Sequence, residues 1–335
     1  GGEVPKRELP KRPEKIGIEP PEERKPQKLP LWRKILGGIS GAVFAGLLLY
    51  TSLALDLSAL YQGGNFMGQY GWLYVVMFLS FGIFAASISR KSSVREQRLM
   101  SGKLSTRTKI TMLLSLLLIP LTIWAGLKFG GGRKYMLISF AIIFETMLPF
   151  FLIFEGRKPQ ARELVILSVL SALAIGGRAV FFAMPGFKPV AAMVILTGVA
   201  FGAEAGFMVG AMTMFCSNVL FGQGPWTPWQ MFAMGIMGLL AGVLFRKGIL
   251  HRGRFSLSVF GGLVTFLIYG GIMNPASVLM YQANPDWQMI LTAYITGVPA
   301  DAVHALATVM FLWFLSEPML EKLDRVKVKY GLVER

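Results

Sequence analysis

Apolar stretches of about 20 residues recur along this chain from residue 35 to residue 317, with short polar breaks between them, and that length matches a bilayer core of roughly 30 Å. In hydrocarbon a spanning segment must satisfy its own backbone hydrogen bonds, so stretches of this length fold as helices. The chain therefore reads as an all-α polytopic membrane protein. Its 54% hydrophobic and 16% charged residues agree, and they exclude the two or three soluble domains that 335 residues would otherwise suggest.

The apolar runs cover roughly 35–55, 72–89, 109–127 and 136–154, then 163–183, 190–222, 228–245, 255–273 and 288–316. Run 190–222 is too long for one ordinary span and holds Gly202, Glu204 and Gly206 at its middle, which predicts two helices meeting in a tight turn. Charge placement tests that choice. Ten helices with both termini cytoplasmic put 29 of the 34 Lys and Arg inside, in segments 1–34, 90–109, 157–162, 246–254 and 322–335. Lys128, Arg133, Lys134, Arg178 and Lys188 remain on the outer side or at outer helix ends. One long span over 190–222 would instead throw Arg246, Lys247, Arg252 and Arg254 outside, against the positive-inside rule. The net charge of +16 thus records membrane orientation, and no nucleic-acid partner is expected.

Four parts are expected. Residues 1–34 form a disordered, basic, Pro-rich cytoplasmic tail. This tail opens on Gly1-Gly2, as a processed chain would, and does not follow the basic-then-apolar plan of a secretory signal. Residues 35–156 form a four-helix membrane module of unassigned role. Beyond a proline-bearing basic joint at 156–162, residues 157–318 form a six-helix domain, and 319–335 a basic cytoplasmic tail. Cys216 lies inside an apolar run, which leaves no disulfide framework and no cysteine metal site.

Conventional catalytic signatures are missing: no HExxH, no GxSxG, no Walker A loop and only two histidines. No catalytic residue, metal or cofactor is expected. His304 follows Asp301 by three residues, which puts both on one face of the last helix. An acid at that depth needs a partner, and Arg178, at similar depth, is the candidate. Three readings stay open: a packing ion pair, direct ligand contact, or proton relay through His304. Glu204 belongs to the inner turn and needs no function; for Glu145, inside a span, packing is the simpler explanation. Small residues recur at four-residue spacing in Gly37-Gly41-Ala45, Ser168-Ala172-Gly176, Gly202-Gly206-Gly210 and Gly238-Gly242, faces that let helix backbones approach closely.

The outer loops carry more information. Phe221 to Gln230 combines prolines, glycines, two indoles (Trp226, Trp229) and two amides (Gln223, Gln230). Trp at such a boundary is either an interfacial anchor or part of a recognition loop whose prolines reduce the entropy lost on ordering. Phe181, Phe182 and Phe187 follow residue 180; Asn274, Tyr281, Gln282, Asn284 and Trp287 follow residue 273. An aromatic, amide-lined mouth suits a flat, polar-edged small molecule better than an ion.

At residues about 163–318 the chain resembles the substrate-capture S component of energy-coupling factor (ECF) vitamin importers. The resemblance is carried by Ala174-Ile175-Gly176-Gly177-Arg178, by Lys188-Pro189, by the stretch Ser217-Asn218-Val219-Leu220-Phe221-Gly222-Gln223-Gly224-Pro225-Trp226-Thr227-Pro228-Trp229-Gln230-Met231, and by Pro299-Ala300-Asp301-Ala302-Val303-His304-Ala305. It implies a six-helix, non-enzymatic subunit of the cell membrane that binds a vitamin-like molecule through its outer loops. The subgroup it most resembles is associated with cobalamin. The candidate substrate-binding residues are Arg178, Phe182, Phe187, Lys188, Asn218, Gln223, Trp226, Trp229, Tyr281, Asp301 and His304. The implied partners are a transmembrane scaffold subunit and two cytoplasmic ATPases, with docking through Ser168, Ala172 and Gly176, the place of the family's Ala-xxx-Ala pattern. The first four helices are an addition to the usual six. Their inner loop from Arg90 to Lys109 lacks the family scaffold's Ala-Arg-Gly coupling signature, so a packing or assembly module is expected. The rival functions are a proton-coupled secondary transporter using Asp301 and His304, and an intramembrane enzyme using the same pair.

Overall fold

A computed structural model describes residues 29–55, 66–89, 106–129, scattered residues between 138 and 155, and 161–330. The expectations for tail residues 1–28, for the loop from 90 to 105 and for joint residues 156–160 lie outside the described residues. The chain is helical, and no strand occurs among the described residues. Among the described residues eight helices are long and apolar enough to cross a membrane, and a shorter apolar helix, Val190–Phe201, joins them. The described residues between 138 and 155 are also helical.

In the first half, α1 (Leu31–Ala54) and α2 (Phe66–Ile88) form a packed pair, followed by α3 (Thr106–Phe129). The Gly37-Gly41 face works as expected: a β-carbon on Gly37 would press on Ser87, and one on Gly41 would press on the Phe84 ring. The second half holds α4 (Ala161–Val180), α5 (Val190–Phe201), α6 (Ala203–Phe221), α7 (Trp226–Arg246), α8 (Arg254–Val264), α9 (Gly270–Tyr281) and α10 (Trp287–Tyr330). A π turn, Thr265–Tyr269, joins α8 to α9 within one span.

The turn predicted inside run 190–222 is present. Gly202 sits between α5 and α6 at φ 99°, a conformation that costs glycine little and other residues much. Every residue of α5 is buried. The α5–α6–α7 core is set by glycine: added β-carbons on Gly198 and Gly206 would strike the Gly238 carbonyl, and one on Gly238 would strike Gly206 in return. Backbone-to-backbone approach of this kind supplies the packing that drives helix association where burial from water does not.

Helix α5 has 12 residues, about 18 Å at 1.5 Å per residue, too short for the bilayer core. The loop Phe181–Pro189 before it folds back onto the bundle. Its Phe181 and Phe187 are buried and meet Phe81 of α2 and Phe311 of α10 at ring-centroid distances of 5.2–5.7 Å. The first half of the chain thus touches the second through this phenylalanine cluster.

Most of segment 319–335 is helical. Helix α10 continues through Pro318 to Tyr330, with Leu320 and Leu323 buried. Arg252 pairs with Asp324 and Arg254 with Glu317 at 3.1 and 2.7 Å, and the Lys327 ammonium, 4% exposed, donates to the Ala200 carbonyl. That carbonyl lies at the C-terminal end of α5, where cations are favoured. Next to it, Thr108 of α3 donates to Glu204, which gives Glu204 the structural role expected of it. Glu145 accepts from Thr122, also a packing contact.

Candidate functional site

Loop Phe181–Pro189, the α6–α7 turn and the α9–α10 junction define the aromatic end of the six-helix domain; Arg246–Arg254 and Lys322–Lys329 define its basic end. At the aromatic end one amide organises the polar groups. Asn218, fully buried in the last turn of α6, accepts from Arg178 Nη1 at 2.8 Å and donates through Nδ2 to Thr227 Oγ1 at 2.9 Å and Gln230 Oε1 at 2.7 Å. Thr227 Oγ1 donates to Gln223 Oε1, and Gln223 Nε2 donates to the Phe215 carbonyl. Gln230 lies beside Tyr269, and the Tyr269 ring meets His304 edge-on at 4.8 Å. Arg178 also donates to Ser217 and lies over the Phe221 ring. Residues of α4, α6, α7, the π turn and α10 converge in this way, and an extra residue in a π turn is a common means of aiming a side chain at a functional site.

Lys188 closes the loop side, donating to the carbonyls of Phe181 and Met184 at 3.3 and 2.9 Å. Burial, helped by the nearby Arg178 charge, brings its ammonium down to about 8. Gly177 allows Pro189 to rest directly on α4, and Gly186, at the tip of the loop with φ 67°, lies against Val303 and Ala300 of α10.

The expected Arg178–Asp301 ion pair is not formed. Arg178 is bound to Ser217 and Asn218, and Asp301 accepts from Asn274 Nδ2 at 2.7 Å. Similar depth in two helices does not make two charges neighbours, and each group meets neutral partners instead. Asp301 and His304 share a helix face without a hydrogen bond between them.

The predicted loop Phe221–Gln230 is shorter than expected, since α7 begins at Trp226. Pro225 and Pro228 do not prevent this, because the first turn of a helix has no intrahelical use for its N–H groups. Trp229 is 1% exposed in a separate cluster with Ile138, Ile142, Ala276 and Leu279, its Nε1 without a hydrogen-bond partner. Its side chain is held within that cluster rather than on the surface. Trp226 is half-buried and folds back over Gly224, where a β-carbon would collide with the indole. Phe182 is exposed and stacks on Phe221 at 5.5 Å, Phe187 is inside the phenylalanine cluster, and Tyr281 is 60% exposed, outside the polar network. Beside Tyr281, Gln282, Gln288, Thr292 and Thr296 line a shallow depression of about 460 Å³. Ser168, Ala172 and Gly176 form an exposed stripe on α4, with nothing within 4 Å of a β-carbon on Gly176.

Sequence reasoning missed Ser217, Thr227, Gln230 and Tyr269 as members of the network. Tyr269 and Asn274 were visible as polar side chains in or beside an apolar span, a signal that buried polar groups usually have partners.

Comparison with known proteins agrees with this architecture. The family model described as "ECF-type riboflavin transporter, S component" matches residues 158–317. A UPF0397 protein of Vibrio atlanticus is 29% identical over 125 residues, 35% of this chain and 68% of the relative. UPF0397 proteins of Aliivibrio fischeri and Aliivibrio salmonicida are 29% and 30% identical over 122 residues, 34% of this chain and 66% of each relative. The chain thus spans about two thirds of the length of these relatives. No solved structure matches the chain significantly. With its apolar spans, the chain is a multi-pass protein of a bacterial cell membrane, and its residues 158–317 match the S-component family of ECF-type transporters.

Proposed function

We propose that this chain is the substrate-binding membrane subunit of an ATP-driven ECF-type importer, capturing a vitamin-like small molecule at its aromatic end. The family match supports the class. The observation that carries the site is the Asn218 hub, which draws charged, amide and phenolic groups from five elements together beneath the Phe181–Pro189 loop. In the charge-based orientation this end faces outward. Arg178, Gln223, Gln230, Tyr269 and His304 then supply the few placed polar groups, and Phe182, Phe221 and Trp226 the aromatic surface, that fix a flat ligand. Riboflavin, named in the matched family's description, and cobalamin, suggested by the sequence resemblance, are the first cargoes to try.

A scaffold subunit and two cytoplasmic ATPases would complete the transporter, docking on the exposed Ser168-Ala172-Gly176 stripe. A stripe of small residues left open by its own subunit is suited to close helix contact with another. The phenylalanine cluster gives the first-half module a place in this scheme: α2 supports the loop from behind.

The test is reconstitution in liposomes with labelled riboflavin or cobalamin. The proposal expects concentrative uptake only when scaffold and ATPases are co-reconstituted with ATP. Concentrative uptake by the chain alone under a proton gradient would establish the secondary transporter instead.

A further inference from the structure

The network at the aromatic end contains two cations and no carboxylate paired with either. Arg178 commits Nη1 to two neutral acceptors, Ser217 and Asn218, and among the described residues its Nε and Nη2 have no hydrogen-bond partner. The guanidinium lies over the Phe221 ring, its Cζ 5.1 Å from the ring centroid. Lys188 gives two hydrogen bonds to backbone carbonyls and has a third N–H to give. The acid at similar depth, Asp301, is bound by Asn274. Among the described residues no salt bridge reaches Arg178 or Lys188, and the contact of Gly177 with Pro189, their chain neighbours, brings the two cations into one corner of the bundle. Two like charges, both partly withdrawn from water, are costly to hold together without a counter-charge.

We infer that the captured molecule carries an anionic group, a carboxylate or a phosphate, that seats between Arg178 and Lys188. The inference rests on the proposed capture function and adds the charge class of the cargo, which favours cobalamin, with its phosphodiester, over riboflavin, which has neither a carboxylate nor a phosphate. A guanidinium anchored through one nitrogen offers its other edge, Nε with Nη2, as a planar fork that matches two oxygens of either anion. Lys188 adds a point charge from the loop. A lipid phosphate shares this chemistry, but the anchors of Arg178, Ser217 and Asn218, are both fully buried, which places the guanidinium against the interior of the bundle.

The experiment follows thermal unfolding of the full chain in phosphatidylcholine nanodiscs at constant ionic strength, with chloride, inorganic phosphate or benzoate titrated. A parallel series uses nanodiscs containing phosphatidylglycerol. Phosphate or benzoate is expected to raise the melting temperature saturably where chloride does not, and the better of the two names the anion. Arg178→Lys, which keeps charge and removes the fork, and Lys188→Gln, which changes a loop residue, should each weaken the effect about tenfold. No saturable shift with either anion, an unchanged shift in both variants, or a shift with phosphatidylglycerol alone would overturn the inference. The assay needs no partner subunit: ATP-driven uptake of a probe with no anion effect would remove this inference alone, and an anion effect without ATP-driven uptake would remove the importer reading alone.

Discussion

Asn274 of α9 donates to Asp301 of α10 at 2.7 Å, through an approach that a glycine on each helix permits. A β-carbon on Gly270 would stand 2.6 Å from Asp301 Oδ2, and one on Gly297 would stand 2.5 Å from Asn274 Oδ1. Each glycine precedes the polar residue of its own helix by four positions, one turn, and faces the polar residue of the other. Gly270→Val and Gly297→Val should therefore separate the pair and destabilise the chain by about 2 kcal/mol. Asn274→Leu, which strands the carboxylate, should cost more than Asp301→Asn, which keeps two neutral partners. Melting temperatures of the four variants in one detergent check the order.

The two indoles of the α6–α7 segment should behave differently. Trp229→Ala opens a cavity in a packed cluster and should cost roughly 2–4 kcal/mol of stability. Trp226→Ala, at a half-buried position, should cost under about 1 kcal/mol while weakening binding of whichever labelled probe the chain takes. Equal stability losses would place both in the core.

Lys188 should titrate near pH 8, because burial and the Arg178 charge both disfavour its proton. Its rate of acylation by an amine reagent should rise through a midpoint near 8, and Arg178→Gln should move that midpoint upward. A midpoint near 10.5, the ordinary lysine value, would mean that the loop does not hold the ammonium in this setting.

Ala172→Trp should abolish co-purification with a scaffold subunit while leaving the melting temperature within about 0.5 kcal/mol equivalent of the parent, because the position is exposed on α4. A large loss of stability would show that the face packs within this chain.

Most of the helical plan was legible, because span length and charge placement are properties of short segments read one at a time. The Gly202 turn was legible for the same reason, since a run too long for one span with glycine at its middle has few alternatives. Partners across helices were not. The Arg178–Asp301 pairing rested on depth alone, whereas rotation about each helix axis decides which side chains meet, and the π turn at Thr265–Tyr269 changes that rotation without a mark in the apolar pattern. Trp226 to Gln230 read as loop because Pro225 precedes it and Pro228 stands within it, although an N-cap and a first helical turn accept proline. The continuation of α10 was masked by its basic content, even though Leu320, Leu323 and Lys327, all buried, fall at the spacing of one helix face.

Native mass spectrometry of the full chain, purified gently from its own membrane, tests the central claim most directly. The account predicts an assembly of this chain with one further membrane subunit and two ATPases, and a fraction of the chain carrying one small molecule that is lost in Asn218→Leu. A chain that appears only alone or with copies of itself, with no bound small molecule, would contradict it.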